Sequence, residues 1–324
     1  MKILLIHCHY RLPGGEDAVF AAERALLERR GHTVLVYERS NEEAAHGLAK
    51  ALLPLHAVWN RRAAREVCDL IRREGVEAVH IHNTLLLLSP AVVRAAKRCG
   101  VPVVQTLHNF RLFCPNGILL RGGAVCEDCP RRGLHCALQH RCYRGSLAQT
   151  LVVAASYRLH RALGSWRGVW VTTPTEFDRE KLLAFNRLRP TFDENRLVVK
   201  PNPVSVPAGP VIPWEERDRR FVFAGRLEEL KGLRTVIEAW RLLGDTAPEL
   251  LIAGDGPLAD WARAQALPRV RFLGQLERAE LHRLIGASYA VIAASLCYES
   301  FALVPAEAHA LGTPVLASRI GNVG

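Results

Sequence analysis

Two segments of the C-terminal half combine cations with glycine-rich turns, a pattern suited to binding phosphate. Arg226 follows a strand-like run, Phe221–Ala224, after the single residue Gly225, and Lys231 stands at the start of the next helical stretch. A guanidinium holds two phosphate oxygens at once, and an ammonium adds a compact positive charge. Further on, Gly254–Pro257 joins a strand to a helix, where glycines let a ligand approach the backbone and a helix N-terminus favours anions. The two segments predict a site for a phosphate-bearing ligand.

The segment from Glu299 to Ala308 could supply further contacts to such a ligand. It follows a predicted strand, and its apolar run between Glu299 and Glu307 is expected to open a helix. Backbone N–H groups near Phe301–Val304 would then lie at the helix N-terminus, where they can bind a diphosphate. Glu307, about one turn inside, could accept hydrogen bonds from ribose hydroxyls. Taken alone, the two carboxylates are better explained as a helix cap, Glu299, and a solvated helical residue, Glu307.

Five of the nine cysteines lie between residues 114 and 142, with the spacing C-x11-C-x2-C-x6-C-x5-C. A Cys-x2-Cys turn with further cysteines on both sides indicates a structural zinc site, because four thiolates satisfy tetrahedral zinc. One or two disulfides, or free thiols, are the alternative. The other four are interpreted as small buried side chains; they are Cys8, Cys68, Cys99 and Cys297.

Short β-branched runs alternate with amphipathic stretches along most of the chain, which predicts parallel sheets covered by helices. Five prolines between residues 201 and 218 interrupt the pattern and indicate a linker. We therefore expect an α/β protein with two doubly wound domains, residues 1–205 and 206–324, and a cysteine-rich insertion at 109–145. Ligands of such domains bind beyond the carboxyl ends of the strands. The predicted strands are Ile3–His7, Thr33–Tyr37, Ala78–His82, Val103–Leu107, Val169–Thr173, Leu197–Lys200, Phe221–Ala224, Glu249–Ala253, Val270–Leu273, Ala290–Ala294 and Pro314–Ala317.

No closing helix follows the last predicted strand before Gly324, so we expect the second domain to be incomplete and the chain to be a fragment.

The net charge of +11 is concentrated in the first 205 residues, which carry 30 basic and 18 acidic side chains. This asymmetry fits either a solvated basic surface or an anionic partner such as phospholipid headgroups or a phosphorylated acceptor. Nucleic acid is a weaker partner, because the arginines are dispersed and no recognisable nucleic-acid-binding module occurs. With no signal peptide and no apolar run long enough to span a bilayer, we expect a cytoplasmic protein that rests peripherally on the inner face of the plasma membrane or stays free.

In order and spacing, these motifs resemble the retaining GT-B glycosyltransferases of family four, which have two Rossmann-like domains. The resemblance rests on Gly225-Arg226-Leu227 with Lys231-Gly232, Gly254–Pro257, Val270–Gly274, Glu299-x7-Glu307 and Gly312–Val315. It implies transfer of a sugar from a nucleotide-diphosphate sugar to a saccharide or lipid-linked acceptor with retention, as in surface polysaccharide or glycolipid synthesis. We find no Asp-x-Asp motif suited to Mg²⁺, and fixed cations can stabilise the leaving diphosphate without a catalytic metal.

The resemblance also implies roles for individual residues. Arg226 and Lys231 would neutralise the diphosphate, Glu299 would contact the donor sugar, and His108 matches the family's active-site histidine. Donor binding would involve Gly14, Gly15, Gly225, Gly254, the backbone of Arg271, the amides of Phe301, Ala302 and Leu303, and Glu307.

For zinc, the resemblance favours Cys114, Cys126, Cys129 and Cys142, with Cys136, His135 and His140 as substitutes. Because the insertion is arginine-rich and follows the strand that carries His108, we expect it to shape acceptor binding. Three alternatives remain: a sugar-nucleotide epimerase or phosphorylase, an inactive fragment that binds nucleotide sugars, and a zinc-dependent nucleic-acid-binding protein.

Overall fold

The computed structural model describes residues 1–10, 14–43, 47–207 and 209–324. The chain divides into two compact units: residues 1–119 with 126–203, and residues 120–125 with 204–324. Each unit is built on one parallel sheet, so the predicted α/β class with two doubly wound domains is confirmed. No helix in the described part of the chain combines the length and the apolar character needed to cross a bilayer.

The first 203 residues contain a six-stranded sheet in the order β2-β1-β3-β4-β7-β8 and a separate antiparallel hairpin, β5-β6. The strands are β1 (Lys2–His9), β2 (Thr33–Ser40), β3 (Ala78–Ile81), β4 (Val103–Thr106), β5 (Leu120–Arg121), β6 (Ala124–Val125), β7 (Trp170–Thr173) and β8 (Leu197–Val199). The helices are α1 (Gly15–Arg29), α2 (Gly47–Val58), α3 (Arg61–Glu74), α4 (Ala91–Arg98), α5 (Asp128–Arg132), α6 (His135–Gln139), α7 (Leu147–Ala162) and α8 (Glu176–Leu188).

Strand β1, which lies between β2 and β3, is buried on both faces, because Ile3 through Cys8 are all shielded from solvent. Successive side chains of a strand point to opposite faces, so a continuous apolar run requires cover on both sides. All six predicted strands of this region exist, and β1 and β2 extend beyond their predicted ends by two and three residues at the carboxyl side.

The second unit contains a five-stranded parallel sheet in the order β11-β10-β9-β12-β13. Its strands are β9 (Asp218–Ala224), β10 (Glu249–Ala253), β11 (Val270–Gly274), β12 (Ser288–Ala293) and β13 (Val315–Ala317), and its helices are α9 (Leu233–Leu243), α10 (Ala259–Arg263), α11 (Arg278–Gly286) and α12 (Leu303–Ala310). All five predicted strands of this region exist.

Alternation along the central strands gives this second sheet two separate cores. Phe223 and Ile252 pack with α9 residues such as Trp240 in one cluster, whereas Val222 and Leu251 pack with residues of α11 and α12 in another. Both faces are therefore covered by helices, as the unbroken apolar strands predict. Of the described residues between 201 and 213, none lies in a helix or strand, as expected for the proline-rich segment.

Candidate functional site

Backbone hydrogen bonds link the turns after β9, β10 and β11 at the carboxyl end of the second sheet. The Gly225 N–H donates to the carbonyl of Ala253 (3.0 Å), and the Gly254 N–H donates to that of Gly274 (2.7 Å). A Cβ on Gly254 would lie 1.9 Å from the Gly225 carbonyl oxygen, so the packing of the turns itself requires this glycine. A Cβ on Gly225 would meet nothing within 4 Å, so open space remains beside that turn.

Lys231 is held beside the segment that follows β12. Gly232 adopts a φ of +72°, and a Cβ there would lie 1.9 Å from the Ala294 carbonyl oxygen, which shows how closely the two segments approach. The Lys231 ammonium donates to both oxygens of Glu299, at 2.8 and 2.7 Å, and the Ser295 hydroxyl bonds the same carboxylate. The fold thus joins two predicted site residues that are 68 positions apart in sequence.

Arg226 contrasts with Lys231. Its side chain is exposed, and none of the carboxylates that the structure describes forms an ion pair with it. The guanidinium is therefore available to an anionic ligand beside the joined turns.

The predicted amide donors lie where α12 begins. Ala302 is the N-cap residue, and among the described residues no side chain caps the helix, which leaves the Leu303 N–H at its start open to a ligand. Phe301 precedes them and is half-buried. Glu307 is buried inside the helix, where its Oε1 accepts from Arg278 (2.7 Å) and lies 3.4 Å from His282 Nε2.

Arg271 is not brought to this edge. It pairs with Leu251 in the middle of the β10–β11 ladder, three residues before the strand ends at Gly274, and its guanidinium donates to Glu249 (3.2 Å). The predicted strand Val270–Leu273 already placed Arg271 near its start, and the role at the base was implied only by the family resemblance.

In the first unit, a small pocket lies where β3 and β4 end. Its polar lining combines a carboxyl group, a guanidinium and imidazoles. Burial raises the pKa of the Glu16 carboxyl, which accepts a hydrogen bond from the Asn109 amide (2.8 Å). The cavity is lined by Glu16, His82, Asn83, Thr84, Gln105, Thr106, Leu107, His108, Asn109, Arg111, Leu112 and Tyr157.

His108 belongs to a cluster of five histidines that the sequence motifs did not reveal. Its Nε2 shares a hydrogen bond with His82 Nδ1 (2.9 Å), and their rings stack 5.2 Å apart. Burial lowers the pKa of both His80 and His108 to about 4 and that of His82 well below its usual range, so these imidazoles are neutral at pH 7. His-x-His pairs at the ends of two predicted strands, residues 7 and 9 and residues 80 and 82, were the available signal.

Two acidic side chains complete the cluster. Glu23 is buried, and its Oε1 lies 2.6 Å from the Lys200 ammonium. Its Oε2 faces His82 Nε2 at 3.4 Å, and neither atom has a hydrogen-bond partner among the described residues. Asp17 accepts from His7 and His9, at 2.9 and 2.7 Å.

Gly14 and Gly15 begin α1 beside this cluster. The Gly14 N–H donates to Asp17 Oδ2 (2.7 Å), and a Cβ on Gly14 would meet nothing within 4 Å. The turn therefore presents exposed backbone, as a glycine approach to a ligand requires.

Several cysteines of the insertion lie near Cys129. Burial first, and then the nearby Cys114 and Cys142, raise the pKa of the Cys129 thiol to about 12. Cys136 belongs to the same buried cluster as Cys129, and Cys142 packs against that cluster. Within the described ranges, the groups that bring three ligand atoms within 4.8 Å of one another are His7, His9, Asp17 and Glu23, His80, His82; neither contains a cysteine.

The interpretation of the four scattered cysteines is right for Cys8 and Cys297, which are buried, and wrong for the other two. Cys68 and Cys99 are only half-buried and lie together, because α3 and α4 pack side by side.

Comparison with known proteins agrees with both units. Residues 14–203 match the family model of the glycosyl transferase 4-like domain, and residues 218–324 match that of the glycosyl transferases group 1. A glycogen synthase of Mycobacterium tuberculosis is 41% identical over 111 residues, a match that covers 32% of this chain and 27% of that enzyme. The chain thus spans little more than a quarter of that relative's length.

Two further comparisons cover the whole chain. An uncharacterised glycosyltransferase of Methanocaldococcus jannaschii is 25% identical over 357 residues, covering all of this chain and 82% of the relative. The crystal structure of Anabaena HepE in complex with UDP superposes with a TM-score of 0.56 at 17% identity, covering 99% of this chain and 81% of HepE. The second comparison shows the fold, which is the GT-B fold. The chain therefore belongs to the glycosyltransferases of group 1, with a glycosyl transferase 4-like domain followed by a group 1 domain.

Proposed function

We propose that this glycosyltransferase moves a hexosyl group from a nucleotide-diphosphate sugar to a saccharide or lipid-linked acceptor, with retention, in the synthesis of a surface polysaccharide or glycolipid. The observation that carries the proposal is that the second unit pairs Lys231 with Glu299 and exposes Arg226 in a turn at the carboxyl end of its sheet. Ligands of parallel α/β sheets bind at this end.

The two cations would stabilise the leaving group. Cleavage of the bond to the sugar leaves negative charge on the departing β-phosphate, and fixed positive charges aimed at that position lower the barrier. Arg226 offers an exposed guanidinium that pairs with none of the described carboxylates, and both oxygens of Glu299 hold the Lys231 ammonium in place before a ligand binds. In this mechanism the charge of Arg226 and Lys231 takes the place of a catalytic metal.

Glu299 would accept hydrogen bonds from hydroxyls of the donor sugar while it holds Lys231. The uncapped N–H groups where α12 begins, in the segment of Phe301, Ala302 and Leu303, would bind the diphosphate. Because Oε1 of Glu307 is occupied by Arg278, its contact with the ribose would be made by Oε2. We keep the backbone of Arg271 as a contact to the base, although its mid-strand position gives that role the weakest support.

In the first unit, the residues that we propose to act on the substrates are His108, Gly14 and Gly15. As a neutral imidazole, His108 can donate one hydrogen bond and accept another, which suits a sugar hydroxyl better than a charged imidazolium does. The cavity beside it contains Glu16, which can accept from an acceptor hydroxyl. We assign the acceptor to this unit.

We also propose a structural zinc ion in the insertion. The crowding of Cys114, Cys129 and Cys142 supports three of the ligands, and Cys126 or Cys136 would be the fourth. Elemental analysis of the purified protein should find one zinc per chain, and Cys129→Ser should remove it. A full metal content in that variant would contradict the assignment.

A cytoplasmic location with peripheral attachment to an anionic membrane follows from the basic first half and a lipid-linked acceptor. Exposed leucines support this role, namely Leu55 on α2 and Leu151 on α7, which are 67% and 54% exposed. Co-sedimentation with vesicles that contain phosphatidylglycerol, but not with pure phosphatidylcholine, is the expected result. Equal recovery with both vesicles would contradict attachment through charge.

The decisive experiment is a thermal-shift screen of UDP-, GDP- and ADP-sugars, followed by transfer assays with the donors that bind. A ligand that binds only the folded state raises its melting temperature. We expect one base to stabilise the protein and the same donor to be consumed with an acceptor. Binding without consumption would indicate an inactive nucleotide-sugar-binding protein. Salt-sensitive DNA binding, together with a melting temperature that no nucleotide sugar changes, would refute the proposal.

A further inference from the structure

A pair of cysteines outside the insertion lies closer than packing alone requires. Cys68 is on α3, and Cys99 is the residue directly after α4. Their sulfur atoms are 2.7 Å apart, which is shorter than the separation of two non-bonded sulfurs and approaches the disulfide length of about 2.05 Å. Cys68 also donates to the Ala95 carbonyl of α4, at 3.3 Å, so its side chain is directed at the neighbouring helix.

From this geometry we infer that Cys68 and Cys99 are a site of reversible disulfide formation that links α3 to α4. The oxidant is a low-molecular-weight disulfide. The thiolate of one cysteine attacks a reagent sulfur and releases one thiol, and the second cysteine attacks the resulting mixed disulfide and releases the other. Both protein thiols lose their protons, two electrons pass to the reagent, and one protein disulfide and two small thiols result.

The surroundings of the pair suit this reaction. Both side chains are half-buried, so a small reagent can reach them, whereas Cys8 and Cys297 are buried. The packed helices hold the two sulfurs together before oxidation, so closing the bond requires little rearrangement. Burial, and then the hydrogen bond with Cys68, raise the pKa of Cys99 to about 11, so little of its thiolate is present at neutral pH and we expect the exchange to be slow.

The linkage would enclose the segment that carries β3, and with it His80 and His82 of the histidine cluster. A cross-link restricts the unfolded chain more than the folded one, and the enclosed loop here is some thirty residues long. The oxidised protein should therefore resist unfolding of the first unit. A gain in melting temperature on the order of 5 to 10 °C is expected for a linkage of this size.

The test uses the full chain, reduced and then equilibrated in buffers of reduced and oxidised glutathione. After alkylation of the remaining thiols, peptide mapping without reductant should find the peptides of Cys68 and Cys99 joined, two hydrogens lighter than the sum. The melting temperature should rise with the joined fraction and fall again after reduction.

Matched variants separate this linkage from oxidation elsewhere. Cys68→Ser and Cys99→Ser should each abolish both the joined peptide and the thermal shift, whereas Cys297→Ser, in the second unit, should retain both. If either serine variant fails to fold, the peptide map of the unmodified protein still shows whether Cys68 and Cys99 are joined. Complete alkylation of Cys68 and Cys99 after incubation with oxidised glutathione, or joining of either one to a different cysteine, would overturn the inference.

Discussion

In the first unit, three histidines and Glu23 lie buried where β1 and β3 end, whereas in the second unit Arg226 is exposed and the partly exposed Lys231 pairs with Glu299. The first set consists mainly of neutral imidazoles in surroundings of low polarity. A polar group that lacks a hydrogen-bond partner there lowers the stability of the fold. The second set consists of full charges that solvent screens. We therefore expect changes in the first unit to act mainly through folding and changes in the second mainly through chemistry.

The largest effect should come from removing the cations of the second unit. Arg226→Ala and Lys231→Ala should each lower kcat by roughly 10²- to 10³-fold, because each group stabilises charge that develops in the transition state. Neither side chain belongs to the core, so the melting temperature should move little. Turnover assays and thermal melts of the same preparations measure both.

Arg219→Ala is the matched control, because this arginine is exposed on β9 of the same unit. Its turnover should equal that of the unmodified enzyme. Unchanged turnover in both Arg226→Ala and Lys231→Ala would remove the leaving-group role from the proposal.

The next effect should come from Glu23→Gln in the first unit. The substitution leaves Lys200 without its partner and two imidazoles beside a neutral amide, which should cost about 3 kcal/mol of the free energy of unfolding. Urea denaturation measures this loss. Glu28→Gln, which breaks an exposed pair with Arg24, should cost no more than about 0.5 kcal/mol. Equal losses of unfolding free energy in the two variants would show that the buried contacts of Glu23 do not stabilise the fold more than an exposed ion pair does.

Acid should weaken the first unit for a related reason. The folded-state pKa of His80 and of His108 is about 4, below the value of 6.5 expected when unfolded. Between these values the unfolded chain binds more protons, so stability is complete above pH 6.5 and falls as the pH drops toward 4. Each imidazole contributes a slope of about 1.4 kcal/mol per pH unit.

Denaturation curves at pH 7, 6 and 5 measure this slope. His80→Gln should reduce it, whereas His309→Gln, at an exposed position of the second unit, should leave it unchanged. A slope that does not respond to His80→Gln would assign the acid sensitivity to other groups.

The smallest effect should be the coupling between Lys231 and Glu299. Because the Lys231 side chain is 35% exposed, a double-mutant cycle on stability with Lys231→Ala and Glu299→Gln should give a coupling energy of about 1 kcal/mol or less. In kinetics the same pair should be strongly non-additive if Glu299 orients Lys231. Additive losses of kcat would instead indicate that the two residues act independently.

Much of the fold could be predicted from sequence, because unbroken apolar strands and amphipathic helices report burial locally. Strand β10 was predicted at its observed bounds, and the proline-rich segment after residue 200 was recognised as a break. The partnership of Lys231 with Glu299 could not be derived in this way, because it depends on the close approach of Gly232 to the end of β12. Likewise, Glu307 looked free in sequence but is engaged by Arg278 from α11.

What the sequence determined by itself was the α/β class, the two alternating series and the residue types able to bind a phosphate-bearing ligand. These follow from local periodicity and from the chemistry of single side chains. Only the tertiary structure decided which groups share one environment: the five histidines with Glu23, the Lys231–Glu299 pair, and Cys68 with Cys99. Parallel strands align the ends of distant segments, so proximity depends on strand order and register, which the local pattern of residues does not encode.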